Sequence, residues 1–299
     1  MNQNRYKGFL LGIDMGGTLT KFVVLQDGKK TFEESFPTPN SSCEEIVIFL
    51  IEKCKQLEKR FPIERIGIGV PGVVRSGNVY TDNLPIRGAP LGRMLKKEIK
   101  IPIRIDNDAN CAALAEANFA ETTYRNLVMI TIGTGIGGGV ILDGKIRRGR
   151  GGLGEFCHMS IESTGGEPCS CGQRGCWEGY ASTTALIRRA ERVVRNHPDS
   201  CLAELYRQSK KMDGILFFKA LRQDCPVAKR IFDEYLDRLA AGIRNLIWIF
   251  DPEAVILAGG ITRDGDFFLD DLRRRISSDV KIEISSLQNE AGAYGASLL

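Results

Sequence analysis

Apolar residues in the first part of the chain follow two different periods. Runs at 9–14, 20–26 and 30–36, separated by glycine-rich or polar turns, predict three strands that follow one another as a meander. From 43 to 60 the apolar positions recur at helical spacing, which predicts an amphipathic helix. Its apolar face is expected to hold Ile46, Phe49, Leu50, Cys54 and Leu57.

The rest of the chain continues the alternation of strands and helices. Short apolar runs bounded by turn residues predict strands at 65–70, 101–105, 254–258 and 280–284. Longer segments predict helices at 108–119, 181–196, 226–250 and 290–298. Mixed strands that alternate with helices are typical of an α/β fold.

One arrangement occurs twice in the sequence. Residues 8–30 and 127–148 each consist of an apolar strand, a turn rich in glycine, a second apolar strand and the tripeptide Asp-Gly-Lys. Asp-Gly between two apolar runs is a strong hairpin signal. The repeat predicts two similar domains, which we expect at 1–120 and 121–299, with the last helix (about 288–299) packing back on the first domain.

The glycine-rich turn of each repeat is a candidate phosphate site, because glycines let backbone N–H groups approach an anion closely. Either turn alone is equally well explained as an ordinary hairpin. Two such turns, each with a threonine hydroxyl, favour phosphate. The glycines lie between two strands, whereas dinucleotide-binding and P-loop motifs place them before a helix. The residues are Gly16, Gly17 and Thr18 in the first turn and Gly133, Thr134 and Gly135 in the second.

A third glycine pair, Gly259 and Gly260, follows the predicted strand at 254–258. It is interpreted either as a close approach of the backbone to a base or ribose, or as an ordinary strand-to-helix turn. The residues alone leave both alternatives open.

The segment Asp106-Asn107-Asp108 joins a predicted strand to a predicted helix. Asn107 is expected to cap the helix, and Asp108 lies in its first turn, where the helix dipole favours the ionised carboxylate. Such a carboxylate can take the proton of an attacking hydroxyl. The alternative is an Asp that stabilises the helix start and has no catalytic role.

Residues 158–176 hold three cysteines and one of the two histidines of the chain, spaced His158-x10-Cys169-x-Cys171-x4-Cys176. Thiolates and imidazole are ligands that Zn²⁺ prefers, and four protein ligands leave no open position, so the predicted zinc is structural. Cys157 could be a ligand or a bystander. Neighbours in an extended segment point in opposite directions, so Cys157 and His158 are not expected to face one metal.

Composition narrows the class of protein. The net charge, 41 − 37 = +4, is too small to require nucleic acid or an acidic membrane as a partner. No apolar run approaches the ~18 residues of a membrane helix, and the apolar run before Asp14 is too short for a secretory signal, so a cytoplasmic protein is expected. Nine cysteines, an odd number, then argue against a disulfide framework. Those outside the cluster are interpreted as small core residues: Cys43, Cys54, Cys111, Cys201 and Cys225.

A set of polar residues could line one site for a sugar, since carboxylates and amides can hydrogen-bond several hydroxyls. The set comprises Asn83, Asn107, Asp108, Glu155, His158 and Glu178. Phosphoryl transfer suits such a site, because it depends on positioning and charge neutralisation more than on covalent chemistry.

Taken together, the motifs resemble those of the ROK family of sugar kinases, within the actin-like ATPase superfamily, over nearly the whole chain. The motifs are D-x-G-G-T-x-x-K (14–21), G-V-P-G (69–72), D-N-D-A-N (106–110), G-T-G-I-G-G-G (133–139), G-E-x-x-H (154–158), C-x-C-G-x-x-G-C-x-E (169–178) and A-G-G (258–260).

The resemblance implies two ribonuclease-H-like domains with a sugar and ATP in the cleft between them. It implies that Asp108 is the general base for the 6-hydroxyl of the sugar and that Asp14 faces Mg²⁺. The two glycine turns and Lys21 would belong to the nucleotide site, and His158 would bind zinc through one ring nitrogen and the sugar through the other. The family's remaining sugar contacts match Asn83, Asn107, Glu155 and Glu178, and its zinc ligands match His158, Cys169, Cys171 and Cys176.

Two departures from the family pattern bear on the substrate and the metal. Cys157 stands where the family commonly has glycine, and residues 83–93 lack the tryptophan often found there in glucokinases. Glucose is the leading substrate, with N-acetylmannosamine, allose and β-glucosides as alternatives. A homodimer that binds ATP and a sugar is expected, without a nucleic-acid or membrane partner.

Two other functions compete with a hexose kinase. Sugar-responsive repressors of the same family carry an additional N-terminal helix-turn-helix domain, for which the sequence before Asp14 is too short. An actin-like or chaperone-like ATPase would explain the nucleotide turns but not the cysteine cluster between Glu155 and Glu178. The resemblance therefore favours the kinase.

Overall fold

The computed structural model describes residues 7–299, apart from the side chains of Asp264 and Asp266. Its strands and helices follow one another as β1 (Phe9–Met15), β2 (Leu19–Gln26), β3 (Lys29–Pro37), α1 (Cys43–Glu58), β4 (Ile63–Val70), β5 (Val73–Arg75), β6 (Asn78–Tyr80), β7 (Arg87–Ala89), α2 (Leu91–Leu95), β8 (Ile103–Asn107), α3 (Asp108–Phe119), β9 (Leu127–Ile132), β10 (Ile136–Leu142), β11 (Lys145–Arg147), α4 (Glu178–Ala181), α5 (Thr183–Asn196), α6 (Cys201–Ser209), α7 (Gly214–Arg222), α8 (Pro226–Phe250), β12 (Ala254–Ala258), α9 (Gly265–Ile276), β13 (Lys281–Ile284) and α10 (Ala291–Ser297). The strands and helices predicted from periodicity are all present, with ends shifted by a few residues.

Two five-stranded sheets have the same topology. The first has the order β3-β2-β1-β4-β8 and the second β11-β10-β9-β12-β13. In each, a meander is extended by strands from further along the chain, and the last two strands of each sheet are parallel. The repeat seen in the sequence is therefore a repeat of topology, and the mixed α/β fold is confirmed.

The Asp-Gly-Lys turns close the hairpins as predicted. Asp27 and Gly28 have φ values of 50° and 81°, and Asp143 and Gly144 have 55° and 70°. Two consecutive residues in the left-handed region give the turn whose twist matches that of the flanking strands.

The described chain divides into two compact units. The first comprises the residues up to Met129 together with Gly139–Gly154 and Ser285–Leu299, and the second comprises Ile130–Gly138 and Glu155–Ile284. The turn between β9 and β10 thus belongs to the second unit, while β11 and the last helix belong to the first.

The first sheet is covered on both faces by helices of its own unit. Leu11, Ile13 and Phe22 point to one face and are buried with the apolar side of α1. Ser42 caps the start of α1, because its hydroxyl accepts the N–H of Glu45.

The other face of the first sheet carries α10, which lies unusually close to the strands. A methyl group on Gly12 of β1 or Gly67 of β4 would overlap the carbonyl oxygens of Ala293 and Ala296 in α10. Only glycine permits this approach of helix backbone to strand backbone. As a result, the end of β1 and the start of α10 are held at a fixed distance.

Two features of the fold were not predicted. Strands β5, β6 and β7 form a small antiparallel sheet in the first unit. Helices α6 and α7 form a hairpin in the second unit, within a stretch where the sequence pattern predicted no elements.

The cysteines outside the cluster follow the prediction only in part. Cys54 and Cys111 are buried as predicted, and Cys43 is half-buried. The interpretation of Cys201 and Cys225 as separate core thiols was wrong, because they form a disulfide with a Cα–Cα distance of 5.9 Å. The bond closes the base of the α6–α7 hairpin, a loop of 24 residues, for which chain entropy predicts a stabilisation of roughly 3 kcal/mol. Antiparallel helices bring these positions together, which cysteine spacing alone does not reveal.

Among residues 7–299, the structure contains no helix that combines the length and the apolar composition required to span a bilayer.

Candidate active site

The first glycine turn joins β1 to β2 in the first unit. The Gly16 N–H donates to the Leu19 carbonyl at 2.9 Å, and the Thr38 hydroxyl donates to the Gly16 carbonyl at 2.8 Å. Gly17 and Thr18 are exposed at its tip. The turn is therefore held from below by Thr38, with the backbone of its tip accessible to a ligand.

Asp14 lies near the end of β1, opposite Lys21 of β2 in the ladder. Its carboxylate is packed against Gly292 in the first turn of α10. Burial raises the pKa of Asp14 to about 6, although the Lys21 ammonium opposes the shift. Lys21 is itself held by the Asn289 carbonyl at 3.0 Å and by Glu33 at 3.5 Å. Near neutral pH the fold therefore contains a partly desolvated carboxylate beside a glycine turn, an arrangement suited to a bound cation.

Asp14→Asn is expected to raise the free energy of unfolding of the ligand-free protein at pH 8. The folded protein binds the Asp14 proton more tightly than the unfolded chain does, so this carboxyl makes stability fall as pH rises from about 4 to about 6. Asparagine resembles the protonated form at every pH. We expect a gain of about 2 kcal/mol, less than the roughly 3 kcal/mol that the shift implies because Asp14 keeps some exposure to solvent. Urea unfolding at pH 8 and pH 4.5 measures it; a gain of equal size at both would contradict the prediction.

The catalytic candidate Asp108 is the first residue of α3. Its Oδ1 accepts the N–H of Ala109 at 2.8 Å, and the side chain is half-buried. Asn107 caps the helix as predicted, because its Oδ1 accepts the Asn110 N–H at 3.0 Å, and its Nδ2 donates to the Gly72 carbonyl at 2.8 Å. Asn107 therefore spends one N–H and one lone pair on the fold, which leaves one of each for a ligand.

Asp106, for which the sequence pattern predicted no role, connects this helix start to a distant loop. Its side chain is buried, and Oδ1 accepts the Asn107 N–H at 2.8 Å and the Asn110 side-chain amide at 2.9 Å. Oδ2 accepts the Nε–H of Arg148 at 2.6 Å. Arg148 directly follows β11. The Asp106 carboxylate thus holds Asn107 and Asn110, which lie on either side of Asp108 in the sequence. Arg148 offsets the negative charge of this carboxylate.

Replacing Arg148 by Gln is expected to lower the free energy of unfolding by about 1–2 kcal/mol. Breaking a fully buried ion pair costs about 3–5 kcal/mol, but the Arg148 side chain is 47% exposed, and water can replace it in part. Because Asp106→Asn removes the charge left behind, the double variant should recover part of the loss. Chemical denaturation of the four proteins of this cycle measures the coupling. The matched control is Arg147→Gln, whose exposed pair with Asp143 should contribute little; additive effects of Asp106→Asn and Arg148→Gln would disprove the coupling.

Asn83 lies in the exposed loop between β6 and β7. Its N–H donates to the Thr81 hydroxyl at 3.0 Å, and its carbonyl oxygen lies near Gly17 of the first glycine turn. The first unit therefore brings Asn83 close to that turn.

The second glycine turn, Gly133-Thr134-Gly135, belongs to the second unit. The Gly133 N–H donates to the Gly135 carbonyl at 2.9 Å, and the Gly133 carbonyl accepts the N–H of Thr183 at the start of α5. Thr134 is exposed at the tip. The two turns are therefore built alike, each fixed by hydrogen bonds at its base.

The glycine pair after β12 packs directly against the strand that leads into this turn. Gly259 has φ +100°, and a methyl group there would overlap the backbone of Ile132. Gly260 begins a short 3₁₀ helix, and a methyl group there would meet no atom. Gly259 is thus explained by close packing within the second unit, while Gly260 faces open space.

Glu178, at the start of α4, connects the second turn to the cysteine cluster. Its Oε2 accepts the Ile136 N–H at 3.0 Å and occupies the position that a methyl group on Gly135 would take. Its Oε1 lies 3.9 Å from Cys169 Sγ. The carboxylate therefore bridges two segments of the second unit, a role that was not predicted from the sequence.

The four predicted zinc ligands lie together. The ligand atoms of His158, Cys169, Cys171 and Cys176 are all within 4.8 Å of one another. Cys171 Sγ and Cys176 Sγ are 3.6 Å apart, and Cys169 Sγ and His158 Nδ1 are 3.4 Å apart. Neighbouring sulfurs on a tetrahedral Zn²⁺ are about 3.7 Å apart, so the donor set and its dimensions fit zinc.

The two ring nitrogens of His158 face different groups. Nδ1 faces the cysteine cluster, while Nε2 lies 4.0 Å from Glu155 Oε2. Burial raises the pKa of Glu155 above its ordinary value, which the nearby His158 opposes and Glu178 reinforces. The expectation that Cys157 and His158 point apart was wrong, because Phe156–His158 form a 3₁₀ turn and are not extended. Cys157 is buried and lies outside the four-residue cluster, and its sulfur forms a second group of possible ligands with Glu155 and His158.

The candidate residues thus fall into two groups. The first unit holds Asn83, Asn107 and Asp108 together with Asp14, Lys21 and the first turn; the second unit holds Glu155, His158 and Glu178 together with the cluster, the second turn, Gly259 and Gly260. Arg148 and Thr183 were missed, since a hydrogen bond between distant segments leaves no periodic signal in the sequence.

Comparison with known proteins gives consistent matches over nearly the whole chain. A sequence model of the ROK family matches residues 10–299. A glucokinase of Streptomyces coelicolor is 35% identical, with 97% of this chain and 96% of that protein covered. A xylose repressor of Caldicellulosiruptor bescii is 31% identical, with 98% of this chain and 78% of the repressor covered. Among solved structures, a ROK family glucokinase from Streptomyces griseus, crystallised with glucose and AMPPNP, has a TM-score of 0.81 and 31% identity, with 97% and 98% of the two chains covered.

Proposed function

The chain belongs to the ROK family and is an ATP-dependent sugar phosphotransferase, and we propose that its acceptor is glucose, phosphorylated on the 6-hydroxyl. The observation that carries the choice of glucose is the 35% identity to a glucokinase along 97% of the chain. The family's motifs on both glycine turns support the use of ATP.

The backbone of the two glycine turns would bind the phosphates of ATP. Each turn is fixed at its base by hydrogen bonds and has an exposed threonine at its tip. Asp14 would hold Mg²⁺, directly or through water, and its packing against Gly292 fixes the carboxylate beside the first turn. When bound, Mg²⁺ neutralises charge on the β- and γ-phosphates.

Asp108 would act as the general base. As the sugar oxygen O6 forms its bond to the γ-phosphorus, the bond from that phosphorus to the β–γ bridging oxygen breaks, the O6 proton passes to the Asp108 carboxylate, and ADP leaves. The start of α3 suits this role, because the helix dipole stabilises the ionised carboxylate. The Ala109 N–H fixes its orientation.

Hydrogen bonds to the other hydroxyls would hold the sugar. Asn83, Asn107, Glu155, His158 and Glu178 are the proposed partners. His158 can serve both a metal and the sugar because Nδ1 and Nε2 face different groups. A metal ligand whose second nitrogen is also hydrogen-bonded is held in a single tautomer.

We assign the cysteine cluster to a structural zinc. All four positions of the tetrahedron would be taken by the protein, so the metal would fix the segment 158–178 and would not activate water. Held in this way, Glu155 just before the segment and Glu178 at its end would keep their places.

The substrate is tested by a coupled assay of ADP release over a panel of sugars. Glucose is expected to give the highest kcat/KM, and 6-deoxyglucose should bind without turnover because it lacks the accepting hydroxyl. A higher kcat/KM for N-acetylmannosamine, N-acetylglucosamine, allose or a β-glucoside would reject glucose while retaining the phosphotransferase. The expected homodimer is checked on the same preparation by light scattering.

A second candidate, a sugar-responsive regulator, is favoured by one observation, the 31% identity to a xylose repressor. It predicts that sugars bind with measurable affinity and that no sugar in the panel supports ADP release. Calorimetry of the same sugars separates the two functions, since the kinase requires turnover.

A further inference from the structure

The second unit contains a cavity of about 140 Å³ that none of the proposed sugar, nucleotide or metal residues lines. It is lined mainly by residues of α5 and α8, together with Gly179 and Tyr180 of α4. A single water molecule needs about 10–15 Å³ of such volume. The cavity could therefore hold several water molecules or, in their place, a polyatomic ion.

Four arginines line this cavity against two carboxylates. The arginines are Arg188, Arg189, Arg192 and Arg238, and the carboxylates are Glu167 and Glu234. The lining residues carry 4 − 2 = +2, and Glu162, which pairs with Arg238 from outside the lining, reduces the local excess to +1. The excess positive charge converges from two helices on one concavity, which distinguishes it from a basic face of a single helix.

The arginines are held in place by their neighbours. Arg188 donates to the Gly179 carbonyl at 2.7 Å, and the two terminal nitrogens of Arg192 lie 2.9 and 3.4 Å from the two oxygens of Glu167. Arg189 pairs with Glu234 at 2.5 Å. The Arg238 guanidinium lies over the Tyr180 ring, 5.1 Å from its centre, and one of its terminal nitrogens lies 3.4 Å from Glu162. Since each guanidinium has five N–H donors, these contacts leave further donors at the cavity for an anion.

We propose that this cavity binds a phosphate group, either as inorganic phosphate or as a phosphate monoester. Phosphate matches the lining because guanidinium groups bind its oxygens in pairs and because its charge offsets the excess of the lining. The apolar side chains of Leu186 and Ile231, which also line the cavity, suit the carbon part of a small monoester. The choice of glucose 6-phosphate as the monoester rests on the proposed function; binding of inorganic phosphate does not.

The cavity adjoins the segment 158–178, called here the cysteine segment, at two points. Glu167 precedes Cys169 by two residues, and its N–H donates to the Tyr180 hydroxyl at 2.8 Å; Tyr180 follows Glu178 by two residues. A bound phosphate would compete with Glu167 for Arg192. Phosphate binding to the cavity would therefore change the contacts of Glu167, whose N–H holds the Tyr180 hydroxyl close to Glu178.

Isothermal titration of the full-length protein with inorganic phosphate, glucose 6-phosphate and glucose tests the proposal in low salt. We expect Arg188→Gln with Arg192→Gln to weaken phosphate binding at least about tenfold and Glu234→Gln, which raises the charge of the lining, to tighten it several-fold. Arg274→Gln, an exposed arginine on α9 outside the cavity, is the matched control and should change nothing. Opposite shifts in the two kinds of variant cannot come from partial unfolding.

The titrations with different compounds distinguish between the possible ligands. Arginine-dependent binding of either phosphate compound supports the proposal, and the tighter one identifies the source of the phosphate. Binding of both compounds that is unchanged by the arginine and Glu234 substitutions, or no binding at all, overturns it. The inorganic phosphate arm stands whether or not the sugar assay finds turnover with glucose.

Discussion

An Asp108→Asn variant is expected to lose phosphoryl transfer by about 10²–10⁴-fold in kcat while it still binds glucose, because a positioned general base contributes about that much. Asparagine keeps the Oδ1 that accepts the Ala109 N–H, so the helix start should remain intact. The loss of charge next to the helix dipole should lower the free energy of unfolding by only about 0.3–1 kcal/mol.

The kinetic pattern distinguishes a base from a binding residue. A group that acts only in the transition state lowers kcat and kcat/KM equally, whereas a binding group raises KM. Asp270→Asn, an exposed carboxylate on α9, is the matched control and should behave as wild type. If Asp108→Asn retained more than about a tenth of kcat, the assignment of the base would be wrong, since that is a smaller loss than a base produces.

A Cys176→Ser variant is expected to lose zinc and, with it, the ordered cysteine segment. Cys176 is buried and lies 3.6 Å from Cys171 Sγ, so serine would remove a donor from the centre of the cluster. Zinc affinity should fall by more than about 100-fold, the most that loss of an outer hydrogen-bond partner produces. KM for glucose should rise, since Glu178 lies beside Cys169. Metal analysis with chelator competition measures the first effect, and initial rates measure the second.

Two further cysteine variants give this experiment its controls. Cys43→Ser changes a half-buried thiol of the first unit and should leave zinc bound. Cys157→Ser tests the residue that the sequence left undecided; retention of zinc identifies Cys157 as a bystander, and loss identifies it as a fifth participant. Wild-type protein purified without zinc would refute the structural zinc itself.

Local pattern was enough to predict most of the fold. The three-stranded meander, α1 and α8 follow from apolar periods that operate within a few residues, whereas α3 is marked by its capping residue Asn107. The Asp-Gly-Lys turns have the backbone conformation that those residues favour. The small sheet β5-β6-β7 was missed because its strands have only three residues each, too few to show a period. Helices α6 and α7 begin after the capping residues Ser200 and Asp213, a local signal that was overlooked. The Cys201–Cys225 bond depends on tertiary packing, which spacing does not encode.

The candidate site was predictable to the extent that its residues lie next to one another in the sequence. The cap made by Asn107 and the grouping of His158 with three cysteines follow from short-range spacing. Two other contacts join segments about forty residues apart: the ion pair between Asp106 and Arg148, and the hydrogen bond from Ile136 to Glu178. A single sequence contains no signal that pairs such distant positions.

The position of Glu178 has a consequence for spectroscopy. One carboxylate oxygen lies beside a cysteine of the cluster, and the other accepts a backbone N–H at the second glycine turn. If Co²⁺ were exchanged into the cluster, its visible absorption would respond to small movements of the Cys169 sulfur, because groups around a ligand tune the metal. A cobalt-substituted enzyme could then act as a colorimetric reporter of nucleotide binding, without a dye or label.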